Sequence, residues 1–361
     1  MALNVEIAPH ILEFRFQAKT SRGSLKNHKT WYLKIWDDID PGSVGYGECA
    51  PFEGLSVDDR PDFEDKLEIE VIKIRRCNIP TSVEEVNTLV EKIDIQMPSV
   101  RFGFETALRD LFYKGRRKIF DSPFYDERDP ITINGLVWMG DKLLMLERLE
   151  NKIARGFDCI KLKIGAINWQ DELGIIQKIR EKEGGENLCI RVDANGAFKE
   201  PQVYEILDAL HQLNVHSIEQ PIKAGQVEDM KGLCRKAPVP VALDEELIGV
   251  KSIEDKRRLL ETIRPQFIVL KPTLLGGFMA TEEWINLAEE LDIGWWITSA
   301  LESNIGLNAI CQFTSTFKNP LPQGLGTGGL YKNNIPSPLT IDEGKIFYAT
   351  DKTWQLELIE G

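Results

Sequence analysis

Three apolar stretches of this chain end in an acid: Ile190-Arg-Val-Asp193, His216-Ser-Ile-Glu219 and Val241-Ala-Leu-Asp244. Two more end in lysine, at Lys161-Leu162-Lys163 and at Phe267-Ile-Val-Leu-Lys271. Taken singly, an Asp at the end of a strand is most often a helix cap, and a Lys there snorkels to solvent or pairs with an acid. Taken together they describe a site. Three carboxylates that converge need a cation, and hard oxygen donors with room for water suit Mg²⁺. Lysine is a poor base at its usual pKa of about 10.4. A metal, a second lysine and Arg191 close by would each disfavour its protonated form. Side chains alternate along a strand, so Lys161 and Lys163 share one face. The chemistry this set suits is general-base work by a lysine beside a metal ion.

Such residues, far apart in sequence, meet only if their elements bring them together. Short apolar runs alternate with charged amphipathic stretches from about residue 131, which predicts repeated βα units with strands at 131–137, 158–164, 188–193, 215–219, 239–243, 266–270, 294–298 and a weak one near 322–325. Lys163, Asp193, Glu219, Asp244, Lys271 and Thr298 follow one another at intervals of 30, 26, 25, 27 and 27 residues, about one βα unit each. A doubly wound open sheet shares this rhythm, but eight units after a separate first unit favour a barrel, whose strands all end on one face. Before them, residues 4–15 and 29–38 alternate like strands, and Ser99 to about Gly115 reads as a helix with Gly115 as its C-terminal cap. The expected division is an α+β capping unit over 1–127, a catalytic barrel over 128–329, and a tail over 330–361 packing back on the cap.

Bulk properties narrow the partners. A net charge of −13 disfavours nucleic acid and anionic membranes. Arg116-Arg117-Lys118 is the one dense basic spot and reads as a solvated helix end. That same charge offers no long-range steering to an anionic substrate, which therefore needs local cations or a metal. No run of about 18 apolar residues marks a membrane span, and the opening Met1-Ala-Leu-Asn-Val-Glu-Ile lacks a signal core, so a cytoplasmic location is expected. The six cysteines are dispersed and read as buried thiols. The four histidines fit no metal spacing, and Trp295-Trp296 reads as core. Gly324-x-Gly326-x-x-Gly329 formally matches a dinucleotide fingerprint, but no helix pattern follows it, so the glycines are expected to line the barrel mouth. Ser299 has no triad partners nearby. Oligomeric state stays open.

Lys161-x-Lys163, Asp193, Glu219, Asp244 and Lys271-Pro272, in this order and spacing, resemble the enolase superfamily and within it the muconate-lactonizing subgroup. Gly45-Tyr-Gly-Glu-Cys-Ala-Pro51 and Phe102-Gly-Phe-Glu-Thr-Ala107 resemble that family's cap, so the likeness spans nearly the whole chain. It implies an α/β fold, a modified TIM barrel of (β/α)7β type, capped by an α+β domain built from the N-terminal part and the C-terminal tail. It also implies Mg²⁺ on Asp193, Glu219 and Asp244, with Lys163 as base, Lys271 opposite it and Lys161 beside it. Asn195 and Glu245 would support that set, while Arg191, Ser299 and Gly324 would bind a small-molecule carboxylate. Arg191-Val-Asp-Ala-Asn195 and Ser299-Ala-Leu-Glu-Ser303 point, within the subgroup, to dehydration of a succinylated hydroxycyclohexadiene carboxylate. Two alternatives remain open: racemisation or epimerisation of acylated amino acids or dipeptides, and non-catalytic binding of a small anion.

Overall fold

Alternation of apolar and polar residues gives the chain a long antiparallel ribbon, β1 (Leu3–Thr20) and β2 (Gly23–Asp37), to which β3 (Gly45–Cys49) adds on the β2 side. The computed structural model describes residues 3–20, 23–165, 168–184, 187–357 and 359. Helices α1 (Phe63–Arg75), α2 (Val83–Glu91) and α3 (Pro98–Phe112) cover one face of this sheet. Their contact is close because it is made of glycines: a Cβ on Gly47 would meet the Gly103 carbonyl oxygen of α3 at 2.0 Å. Helix α3 stops three residues short of the expected cap, since Lys114 turns left-handed (φ 64°) together with Gly115 (φ 65°). The basic run beyond it is not a solvated end. Arg117 is buried, pairs with Asp110 at 2.6 Å and lies over the Tyr46 ring.

The second unit is a ring of parallel strands. β4 (Ile131–Thr132) leads into β5 (Gly135–Val137), α4 (Lys142–Ala154), β6 (Cys159–Lys163), α5 (Trp169–Glu183), β7 (Cys189–Asp193) and α6 (Gln202–Gln212). Then come β8 (Ser217–Glu219), α7 (Val227–Lys236), β9 (Val241–Leu243), α8 (Ile253–Ile263), β10 (Phe267–Leu270), α9 (Pro272–Leu275), α10 (Phe278–Glu290), β11 (Gly294–Ile297) and α11 (Asn304–Ser315). Strands β5 to β11 pair in sequence order, all parallel. The eighth strand is reduced to two bridges, Gln323 with Ile133 and Gly324 with Thr298, and these close the ring. Pro320 and Pro322 stand just before it and lack the N–H groups that a strand extended in that direction needs. The expected strand 131–137 is split, because Ile131–Thr132 leaves the barrel to pair with β13 (Lys345–Tyr348), partner of β12 (Leu339–Asp342). The tail thus touches the barrel entry, and also the ribbon, where Arg15 N–H donates to the Leu330 carbonyl at 2.9 Å. Trp295 joins the large core, and Trp296 fills the barrel interior with Ala242 and Val269. Four cysteines are buried; Cys77 and Cys189 are only partly so, against expectation. No helix among the described residues is long and apolar enough to cross a membrane.

One side chain ties cap to barrel. Glu48 of β3 is fully buried at the N-terminus of α11, where it accepts from Ser303 N–H (2.8 Å), Ser303 Oγ (2.6 Å), Gly306 N–H (2.9 Å) and Thr30 Oγ1 (3.1 Å). Burial pushes its carboxyl up to about 7 despite these donors. A folded-state value above the unfolded one means stability that is full below about pH 4.5 and lost as pH rises to 7. We expect the unfolding free energy of the native protein minus that of Glu48→Gln to fall by about 3 kcal/mol between pH 4.5 and 7.5. Urea unfolding at both pH values measures it, and a constant difference would refute it.

Candidate active site

Parallel register does the gathering: Lys163 is paired with Asp193, and Asp193 with Glu219, on adjacent strands, so acids and lysine end at one level. Lys161 Nζ lies 2.5 Å from Glu219 Oε2 and 3.0 Å from Asp193 Oδ2. Lys163 Nζ donates to Asp193 Oδ2 at 2.8 Å and to Asn195 Oδ1 at 2.7 Å. Asn195 in turn donates to Glu245 Oε1 at 3.0 Å, and its N–H donates to Asp193 Oδ1 at the same distance. Lys271, four strands round the ring, pairs with Asp244. All the acids and lysines expected from sequence therefore meet at the C-terminal mouth, with Lys163 and Lys271 on opposite sides.

Burial raises the cost of every charge here, so the pairing decides which survive. Burial would lift Asp193, yet Lys161 and Lys163 hold it well below the ordinary carboxylate range. Glu219 goes the other way: burial, then the neighbouring Asp193, push it up to about 8. Lys161 and Lys271 are held above the ordinary lysine value, because the facing carboxylates outweigh their burial. The acids, not the neighbouring cations, dominate the field at this mouth.

The donor set fits a hard dication. Glu219 Oε1 is buried with no hydrogen-bond partner among the described residues, a carboxylate oxygen still open to a ligand. Asp193, Glu219 and Asp244 supply oxygen donors from three successive strands. As the side chains stand, the lysine ammoniums bridge these acids, and among the described residues no three His, Cys, Asp or Glu groups surround one metal-sized point.

Lys161, Lys163, Lys271, Asp193 and Asn195 line a cavity with about 70 Å³ free, closed from the cap side by Phe52 and Leu55. Ser299 and Gly324 line it as expected. Gly324 is required there, since a Cβ would meet Thr298 Oγ1 at 2.1 Å. Arg191 does not line the cavity, which corrects its expected place at the substrate. It lies deeper in the barrel, with Nη1 donating to the Pro322 carbonyl at 2.7 Å and its guanidinium 3.9 Å from the Trp296 ring. The alternation rule placed it on the right face, but two residues of strand rise, about 6.5 Å, put it below the acids. Sequence reasoning missed Gln220. Its Oε1 accepts from the Asp244 N–H at 3.1 Å and its Nε2 donates to Glu246 Oε2 at 3.2 Å. Its own backbone is left-handed (φ 41°), a clue no sequence pattern carries. Asn134 and Trp138 were also missed as lining residues, while Thr298, read from sequence as a strand end, lines the cavity too.

A family model described as enolase C-terminal domain-like matches residues 144–351. The chain belongs to the enolase superfamily. It is 42% identical to an o-succinylbenzoate synthase of Desulfotalea psychrophila over 92% of this chain and 95% of the relative. The solved structure of MenC from Desulfotalea psychrophila LSv54 superposes with a TM-score of 0.85 at 38% identity, covering 96% of this chain and all of that one. More distant is the L-Ala-D/L-Glu epimerase of Bacillus subtilis, 22% identical over 78% of this chain and 76% of the relative. The muconate lactonizing enzyme of Pseudomonas putida shares the fold, with a TM-score of 0.82 at 19% identity over all of this chain and 99% of that one.

Removing Lys161 leaves Asp193 and Glu219 without the cation they share. In chelator, Lys161→Met is expected to lower the unfolding free energy by about 3 kcal/mol, and Mg²⁺ to restore more stability to this variant than it adds to the parent protein. Urea unfolding with and without Mg²⁺ measures both; equal stabilities in chelator would contradict the pairing.

Proposed function

We propose that the protein is an o-succinylbenzoate synthase, a lyase that dehydrates 2-succinyl-6-hydroxy-2,4-cyclohexadiene-1-carboxylate in menaquinone synthesis. The observation that carries this is the 42% identity to a curated o-succinylbenzoate synthase along almost the full length of both chains. The mouth of the barrel supports it chemically. Asp193, Glu219 and Asp244 are the residues that would hold Mg²⁺. Its contribution when bound is positive charge opposite the substrate carboxylate as the α-proton leaves.

The chain's own groups do the rest. Lys163 takes the α-proton next to the carboxylate, and Asn195 and Asp193 fix where its Nζ stands. The ring hydroxyl then departs, accepts that proton from Lys163 and leaves as water, so the ring becomes aromatic. A syn elimination needs one base on one face, and Lys163 supplies it. Lys271, on the opposite face, stays protonated as a fixed charge beside the developing enediolate. Ser299 and Gly324 form the wall at the succinyl end, where the Ser299 hydroxyl is oriented by Glu302 at 2.6 Å. Phe52 and Leu55 of the cap keep water from the ring.

Two opposed lysines would also serve an epimerase, and substrate contacts discriminate. A dipeptide brings an ammonium, whose burial needs a carboxylate partner. The only acid lining the cavity among the described residues is Asp193, already held by two lysines. We expect loss of diene absorbance on adding the cyclohexadiene carboxylate, with kcat/KM for dipeptide epimerisation lower by at least about a hundredfold, roughly 2.7 kcal/mol. Lys163→Ala should lower dehydration by about a thousandfold or more while the protein stays folded, and chelation should abolish it. Deuterium exchange into dipeptides that outpaces dehydration would replace the proposal with an epimerase.

A further inference from the structure

A second cavity, of about 530 Å³, lies beside the catalytic one, and the proposed reaction makes no use of it. It exists because no helix follows the closing strand at Gln323–Gly324 before β12 begins. The gap that such a helix would fill lies between α4 and α11, and the Gly326–Gly329 turn, the β12–β13 hairpin, Phe16 of β1 and Lys352 of the tail border it. Its size is in the range of small-molecule sites.

Its charge is one-sided. Arg148, Lys152, Arg155 and Lys352 line it, and no Asp or Glu does, in a chain whose net charge is −13. None of the four forms an ion pair among the described residues. Arg148 spends Nη1 on the carbonyls of Trp138 (3.0 Å) and Met139 (3.3 Å). Lys152 is half-buried, and its ammonium lies 4.8 Å from the Phe157 ring. Burial, with the nearby Arg155 adding to it, lowers its ammonium to about 8. The acids that Arg148 senses, Asp141 at the N-cap of α4 and Glu147 next to Arg148 in the helix, do not line the cavity. Cations gathered without counter-charge are destabilising by themselves, and an anion placed among them removes both the repulsion and the desolvation. The remaining wall is mixed, with Asn151, Asn304 and Thr340 beside apolar side chains that include Leu307 and Ile346.

We propose that this cavity is a binding site for an amphipathic dianion: an aromatic or aliphatic body with two carboxylates, or with one phosphate. Arg148 and Lys152 hold the anionic end, and the side chains of β12 and β13 cover the apolar body. The site is separate from the catalytic centre but shares three walls with it, Leu136, Trp138 and Gly326. The glycine run 324–329, which sequence alone assigned wholly to the barrel mouth, therefore serves two cavities. Gly324 belongs to the first, Gly328 and Gly329 to the second, and Gly326 to both.

Phthalate, an aromatic dicarboxylate, is the probe. Titration calorimetry of the Mg²⁺-loaded protein at low ionic strength should give two sites per chain, since the catalytic lysines can take one phthalate and this cavity another. Lys152→Met/Lys352→Met should weaken one of the two by at least about tenfold and leave the other, while Lys163→Met/Lys271→Met should do the reverse. Arg155→Met, at an exposed position, should shift the same site in the same direction should the first double variant not fold. A single phthalate per chain that disappears with the catalytic lysines would overturn the proposal, as would two sites both unchanged by loss of Lys152 and Lys352. Phosphate-monoester competition (phenyl phosphate) at the Lys152-dependent site separates the two chemistries by which one binds more tightly.

Discussion

Charge kept out of water has to be balanced within the protein, and at the mouth of this barrel three carboxylates and three ammonium groups are nearly removed from solvent together. An isolated carboxylate buried there would cost several kcal/mol and would take up a proton instead. Lys161 and Lys163 avoid this for Asp193, while Glu219, buried and crowded by Asp193, keeps a raised value. The same balance makes the mouth responsive: any group that takes over the acids' oxygens releases the lysines. Neighbouring backbone strain is consistent with how firmly the balance is held. Asn195 and Gln220, each just beyond a strand-end acid, are left-handed, and each is tied by side-chain hydrogen bonds to the acids' supports.

The cap is part of this arrangement. Glu48 anchors β3 to the start of α11, and a few residues further on Phe52 and Leu55 reach the cavity. A second buried carboxyl, Glu302, sits close to Glu48 and accepts from Thr273 and Ser299, so the loops after β10 and β11 are joined to the cap through one polar network. Ser303, Gly306, Thr30, Thr273 and Ser299 each donate to one of its two carboxylates, and pairing of this kind lets a buried polar network order a structure instead of weakening it.

Relatives whose names describe racemases and epimerases share the fold at about one-fifth identity, so architecture does not by itself choose a reaction. The choice falls to the walls. Here they are mostly apolar on the cap side, and the lining acid is already engaged by lysine. An arrangement of this kind favours an anionic ring substrate over one that brings its own cation.

Local pattern was enough for the repeat of βα units, the three strand-end acids and the lysines, because parallel strands at 25 to 30 residue intervals leave their ends on one face whatever the loops do. It also sufficed to place Lys161 and Lys163 together and Lys271 across from them. What it could not decide depended on depth and on contacts between distant segments. Period-two alternation gives the face of a residue but not its height, so Arg191 was assigned to the substrate and is found outside the cavity lining, stacked on Trp296. Arg117 looked like a solvated cation until Asp110 and Tyr46 closed over it. The closing strand survives only as two bridges, the entry strand divides to meet the tail, and the cavity left by the missing helix collects cations from α4 and the tail. Each of these arises where residues remote in sequence meet, and there the energy lies in pairings that no local period encodes.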